Sequence, residues 1–250
     1  MSDIENKSRF TSRVENYVKY RPSYPQDAIN YLFLNGINKK SVVGDIGSGT
    51  GILSKLLIDR VEKLYCVEPN LAMRDYANKM LSNNNNFYSI DASAENTTLS
   101  DNQLDVITVA QAFHWFDLEK CKSEFNRILK PNSKTFLLFN NRLSNTSFLE
   151  KYDDILINFS KDYKKVNHQN LGKDEFNFFF DKKWEKVSYN NFQIFNLEQF
   201  IGRVASSSYT PEKGDTNYEI FYSEIKRIFE EENVDGFVRF NYKTEIISST

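Results

Sequence analysis

One stretch of the 250-residue sequence concentrates glycine where a ligand could meet the backbone: Asp45-Ile46-Gly47-Ser48-Gly49-Thr50-Gly51. Glycine allows a tight turn and, having no Cβ, lets a ligand lie against main-chain N–H groups. The spacing narrows the ligand. A dinucleotide fingerprint, G-x-G-x-x-G, needs glycine at position 52, which is Ile52, and no Lys-Ser/Thr follows the loop to make a phosphate-binding P-loop. What remains is three glycines at alternate positions with a carboxylate two residues before the first. Glu68 follows Gly47 by 21 residues. At the end of the next strand such an acid either accepts hydrogen bonds from both hydroxyls of a ribose or stands as a solvated strand-end carboxylate.

Two further segments carry chemistry. Ser93-Ala94-Glu95 forms a turn whose backbone and Ser93 hydroxyl can read the edge of a base, or which serves simply as a surface turn. Gln111-Ala112-Phe113-His114-Trp115-Phe116 packs aromatic rings around one histidine. Rings at such a place exclude water and offer their faces to a cationic group. His114 has a side chain whose ordinary pKa is near 6.5, so it can act as a general base or merely fix the strand end by hydrogen bonding to backbone. Cys66 and Cys121 have no disulfide framework or metal-ligand spacing, and with only two histidines, His114 and His168, a metal site is not expected.

The elements that must hold these residues read as an alternation. Phe10, Val14, Tyr17 and Val18 fall at helical spacing until Arg21-Pro22-Ser23-Tyr24-Pro25 interrupts, after which a second helix runs from Gln26 to Leu34 and stops at Gly36. Strands follow at 41–46, 64–68, 87–90, 105–110 and 135–139. They alternate with helices at 52–58, from Asn70 through Met73, Tyr76, Ala77, Met80 and Leu81, and from the Asp117 cap to Leu129. Helices at 148–163, 197–204 and 218–231 and strands at 184–195 and 238–246 complete the chain. The reading is an α/β, doubly wound, mostly parallel seven-stranded sheet with helices on both faces. All 250 residues then form a single domain: an N-terminal helical lid over 1–36, a ligand-binding core over 37–142, and a cap with the last strands over 143–250.

Composition excludes other classes. The net charge is −2 and acids balance bases along the chain, so no basic footprint for nucleic acid exists. No apolar run is long enough to span a membrane and the N-terminus lacks a signal core, so a cytoplasmic protein with a small-molecule substrate is expected, as monomer or homodimer. The abundance of Asn, Lys, Phe, Tyr and Ile is taken as codon bias.

Together these segments resemble the class I S-adenosylmethionine-dependent methyltransferases, with their Rossmann-like sheet. Within them the chain is similar to the methyltransferase type 11 group that includes trans-aconitate methyltransferase-like proteins. Phe10, Arg13, Tyr17 and Tyr20-Arg21-Pro22-Ser23-Tyr24-Pro25 carry the likeness at the N-terminus. The glycine loop, Glu68-Pro69-Asn70, Met73-Arg74, Ser93-Ala94-Glu95 and Ala110 to Phe116 follow in order, and Gly202-Arg203-Val204-Ala205-Ser206-Ser207-Ser208-Tyr209 continues it. The chain departs at Asp91-Ala92, where many relatives have glycine. The resemblance implies that Asp45 orients the methionine end and that Gly47 and Gly49 pass under the cofactor with Ser48 and Gly51. It further implies that Glu68 and Pro69 hold the ribose, Ser93, Ala94 and Glu95 the adenine, and that Gln111 lies beneath the methionine. Tyr17 and Tyr20 would close as part of a lid. Tyr20, Arg21, Trp115, Arg203 and Tyr209 would face the substrate, where Arg21, Arg142 and Arg203 suit an acidic acceptor. S-adenosylmethionine is then the cofactor, with S-adenosylhomocysteine as product and no metal. A nicotinamide-dependent oxidoreductase and a non-catalytic S-adenosylmethionine-binding protein are the alternatives.

Overall fold

Pro22 and Pro25 divide the N-terminal helical segment in two, because neither has an N–H to continue a helix. In the computed structural model α1 runs Val14–Tyr20 and α2 runs Gln26–Asn35. The structure describes residues 13–160, 163 and 171–250, so the expectations at Phe10 and His168 lie outside the described residues. No residue of α1 is fully buried; Val14 and Val18 are half-buried. By contrast α2 buries Ala28, Ile29 and Leu32, and the Gly36 N–H closes its last turn on Leu32 O.

The core then alternates. It comprises β1 (Val42–Ile46), α3 (Ser54–Leu57) with a 3-10 turn at Ile58–Arg60, β2 (Lys63–Val67), α4 (Leu71–Leu81), β3 (Phe87–Ile90), β4 (Leu104–Ala110), α5 (Leu118–Ile128) and β5 (Leu129–Arg142). The remainder is α6 (Ser147–Phe159), α7 (Lys173–Phe179), β6 (Trp184–Phe195), α8 (Leu197–Ala205), α9 (Tyr218–Glu232) and β7 (Val238–Ser249). The seven strands lie in the order β3-β2-β1-β4-β5-β7-β6. The first five are parallel, and β7 inserts antiparallel between β5 and β6. Strand order reverses between β1 and β4, which opens a crevice beyond their carboxyl ends where ligands of such sheets sit.

Side-chain alternation feeds both faces of the sheet. Val106, Phe136 and Leu138 join α2 and α3 on one side, while Ile107, Leu137 and Phe139 join Cys121, Phe125 and Ile128 of α5 on the other. A third cluster, built by α6, α8, α9 and Phe240 of β7, closes the end of the sheet. Caps fix where helices start: Asn70 and Asp117 accept the backbone N–H groups of Met73 and Lys120. Among the described residues no helix is long and apolar enough to cross a membrane.

Four details differ from the sequence reading. Strand β5 begins at Leu129, and Pro131 is absorbed by a register shift between the Leu104 and Val106 pairings, where no ladder N–H is demanded of it. Helix α7 was not expected; its Phe176 and Phe179, three apart, anchor it in the core of the α5 face. Helix α3 is shorter than 52–58 because the chain tightens into the 3-10 turn. Met80 is 43% exposed, since Met73, Ala77 and Leu81 at i, i+4, i+8 already fill the inward stripe of α4.

Helix α1 docks on α8 through a ring laid on a glycine. A methyl group at Gly202 would sit 2.0 Å from Tyr20 Cε2. Gly202→Ala should therefore destabilise the protein by about 1–3 kcal/mol despite alanine's higher helix propensity. Urea denaturation checks this, and Tyr20→Ala in the same chain should remove most of the penalty.

Candidate functional site

The glycine turn is held by the strand beside it. Gly47 and Ser48 donate backbone N–H bonds to Val67 O at 2.8 and 3.1 Å. Gly47, Gly49 and Gly51 have φ of 69°, 56° and 81°, in the left-handed region that favours glycine. Gly47 also presses on Ala112, where a Cβ would come within 2.6 Å, whereas Gly49 faces space bounded only by Met73 Sδ at 3.8 Å. The Ser48 and Thr50 hydroxyls are buried without a hydrogen-bond partner.

Glu68 completes the turn. Its Oε2 accepts the Gly49 N–H at 2.9 Å and its Oε1 the Asn70 N–H at 2.8 Å, while Arg74 donates to its carbonyl at 2.7 Å. Burial pushes the Glu68 carboxyl above the usual range, against the pull of the Asn70 and Gly49 N–H groups. Asp45 lies beneath, fully buried. It accepts Ser54 Oγ at 2.5 Å and Thr108 Oγ1 at 3.1 Å, and Cys66 Sγ donates to the same Ser54 at 3.2 Å.

Two cavities open from this turn. One is walled by Glu68, Pro69, Met73, Ser93, Ala94 and Glu95. The other is walled by Arg21, Arg142, Arg203, His114, Tyr209 and Asn140 among others. Tyr17, Gly47, Gly49, Gln111 and Trp115 belong to both, so the cavities meet there. Gln111 sits just past β4 with φ 58°, a left-handed backbone carried by a residue with a Cβ, and its N–H bonds Leu138 O at 2.9 Å. His114, in the 3-10 turn Phe113–Trp115, packs 4.8 Å from the Trp115 ring.

The second cavity is cationic. Arg203 is 4% exposed and among the described residues bonds neutral groups, Tyr242 OH at 3.2 Å and Ser207 Oγ at 3.1 Å included. Arg21 donates to Ser206 O at 2.9 Å and leaves its buried Nε without a partner. Among the described residues, Arg142 alone of the three has a carboxylate, Asp153, and it keeps Nη1 unpartnered. Burial, then the neighbouring Arg203, lowers the Arg21 pKa; burial would raise the Tyr209 phenol, but Arg142, Arg203 and Arg21 bring it below its usual value.

Comparison with known proteins agrees with this geometry. Residues 44–137 match the sequence profile of the methyltransferase domain family. An uncharacterized methyltransferase of Mycobacterium tuberculosis is 32% identical over 147 residues, covering 59% of this chain and 58% of that protein. An uncharacterized methyltransferase-like protein of Schizosaccharomyces pombe is 32% identical over 169 residues, covering 65% of this chain and 63% of that protein. The chain thus spans less than two thirds of the length of the curated relatives it matches. A candidate type II methyltransferase of Anaeromyxobacter dehalogenans shares the fold, with a TM-score of 0.64 at 17% identity over 92% of this chain and 97% of that one. Residues 44–137 thus resemble the methyltransferase domain family, and the described residues share the fold of a methyltransferase.

Most sequence-predicted residues converge on the two cavities, and three do not. Asp45 is on neither cavity wall, because Ser54 and Thr108 occupy its oxygens below the turn. Gly51 faces Leu81 and Ala77 of α4 rather than a cavity; a Cβ there would approach Leu81 to 3.1 Å. Tyr20 lies flat on Gly202 and lines neither cavity. The sequence reading missed Asn140, Asp153, Tyr163 and Tyr242 as cavity residues. Tyr242 had a readable signal only once β7 was paired, since it is the cross-strand partner of Arg142. Among the described residues no group of three or more metal-ligating side chains occurs.

Burial lifts the Asp45 carboxyl to about 6, with the Ser54 and Thr108 hydrogen bonds opposing. The unfolded value is about 3.9, so between about pH 4 and 6 the folded state holds the extra proton and stability falls as pH rises, levelling above that window. Asp45→Asn should flatten this slope. Glu68 titrates in both proteins, so the difference between their urea midpoints across pH isolates Asp45; parallel curves would reject the assignment.

Proposed function

We propose that this chain binds S-adenosylmethionine across the two joined cavities and transfers its methyl group to a small acceptor carrying carboxylate. The junction carries the reading. A ligand with an adenosyl end and an amino-acid end needs two compartments that share a wall at the point between them, and Tyr17, Gly47, Gly49, Gln111 and Trp115 supply that wall. The residues fit the group: open space over Gly49, unpartnered Ser48 and Thr50 hydroxyls, and a buried carboxylate at the cavity edge. Glu68 has lone pairs left to take ribose hydroxyls, with Pro69 beside it. Ser93, Ala94 and Glu95 flank the adenine, and Gln111 and Ser48 face the methionine end.

When bound, S-adenosylmethionine supplies an electrophilic methyl on a sulfonium. The protein's part is orientation and exclusion of water, which together can lower a barrier by up to ~7–11 kcal/mol. Tyr17 and Trp115 present rings at the junction, where a cation is favoured. Arg203 is buried and Arg21 half-buried, and both guanidiniums bond neutral groups, an arrangement costly where water is scarce and relieved by an anion. This supports a carboxylate acceptor, held by Arg203, Arg21 and Tyr209 with Arg142 behind. A carboxylate needs no base, so His114 shapes the wall for such a substrate and becomes a base only for an acceptor that must lose a proton.

Calorimetry with S-adenosylhomocysteine and with NAD tests the cofactor; binding of NAD alone would favour an oxidoreductase. Transfer of labelled methyl to a panel of mono-, di- and tricarboxylic acids tests the acceptor, and a protein that binds cofactor with no turnover on any panel would be a binding protein. Glu68→Ala should weaken S-adenosylhomocysteine binding by about 1–3 kcal/mol. Arg203→Met should raise the acceptor KM about ten- to a hundredfold, the loss of a charge-assisted pair, while leaving S-adenosylhomocysteine affinity within about twofold. Equal loss of both would place Arg203 in the cofactor half instead.

A further inference from the structure

Arg13, the residue just ahead of α1, lines neither cavity, yet it is 8% exposed and its guanidinium is heavily engaged. It donates to Ser207 O, to Thr210 O at 2.8 Å, to Thr210 Oγ1 at 2.9 Å and to Glu212 Oε1 at 2.8 Å. At the far end of the same helix Arg21 donates to Ser206 O at 2.9 Å. Both ends of α1 are thus tied to one segment, 206–212, and that segment brings Ser208 and Tyr209 to the wall of the cationic cavity.

A second path runs between the same two parts. Arg203 Nε meets Tyr242 OH at 3.2 Å, Tyr242 OH donates to Gln193 Oε1 at 3.0 Å, and Gln193 Nε2 donates to Tyr20 O, the last carbonyl of α1, at 3.1 Å. Between these ties Tyr17 reaches the wall common to both cavities. The helix packs mainly on α8, the helix that carries Arg203, and only lightly on α4 of the cofactor side. Its hold on the molecule therefore comes from the acceptor half, although it covers part of the cofactor half.

We infer that Arg13 is a positioning residue that joins α1 to segment 206–212, so that the lid over the cofactor and the wall of the acceptor cavity move as one body. An anion seated among Arg21, Arg203 and Tyr209 then steadies Tyr17 over the junction and slows departure of the cofactor. This rests on the cofactor reading given above.

The test uses the full chain with Trp184→Phe, which leaves Trp115 at the junction as the sole tryptophan of the two in the sequence. Release of S-adenosylhomocysteine is followed by stopped-flow fluorescence, with and without citrate as a polycarboxylate probe. In the parent, citrate should slow release severalfold. Arg13→Met should speed release at least tenfold and abolish the citrate effect. Arg13→Lys, which keeps the charge but cannot span Ser207, Thr210 and Glu212 together, should fall between and guards against a Met variant that fails to fold. A parent whose release citrate does not slow, or Arg13→Lys and Arg13→Met proteins whose release and citrate response match the parent, would overturn the inference while leaving cofactor binding intact. A parent that does not bind S-adenosylhomocysteine at all would overturn the cofactor reading and this inference with it.

Discussion

A carboxylate accepting a backbone N–H across 2.9 Å holds this site together: Glu68 on Gly49. The glycine turn has little side-chain mass with which to fix itself, and each of its three glycines carries conformational freedom that folding must remove. The bonds from Gly47 and Ser48 to Val67 O and from Gly49 to Glu68 tie the turn to the end of β2, so the rigidity of the sheet passes into a loop that has none of its own. The same carboxylate edges a cavity, so its role in shape and the recognition proposed for it rest on one residue. Its second oxygen accepts the Asn70 N–H just ahead of α4, so that helix, the strand and the turn share one anchor.

The other half of the site is governed by charge placed without full compensation. Among the described residues, three arginines enter one cavity with a single aspartate, beside Arg142. Desolvated cations are tolerated there because hydroxyl and carbonyl groups from β7 and the segment after α8 take part of their hydrogen bonding. The two halves thus differ in physical kind: one offers backbone N–H groups and a carboxylate, the other offers guanidiniums. A ligand pair of the kind proposed, with complementary ends, would be ordered in such a cleft by charge alone.

How much of this could be read from the sequence follows from how local each cause is. The glycine turn, the Asn70 and Asp117 caps and the apolar strands are set by neighbours in the chain, and their signals survive in order and spacing alone. Glu68 was legible because it follows the turn by one helix and one strand. Asp45 looked like a site residue for the same reason, but its partners Ser54 and Thr108 come from elements whose approach no spacing announces. Gly51 and Tyr20 likewise line neither cavity: one answers to α4 and the other to the missing side chain of Gly202. The cationic cavity was half visible. Arg21, Arg142 and Arg203 stood out by type, while Tyr242 and Asp153 joined them only through antiparallel pairing and the return of α6. Helix α7 escaped because its apolar residues are all phenylalanine in a short run, which spacing does not separate from a strand.

The left-handed backbone at Gln111 marks a place where folding and recognition oppose each other. A residue with a Cβ held there sacrifices roughly 1–3 kcal/mol that glycine would recover. Drift toward glycine would be the downhill path for stability at this position. The amide of Gln111 therefore stands on a backbone that gains nothing from carrying it, at the wall shared by both cavities, so replacing Gln111 by glycine would relax the chain while removing that amide.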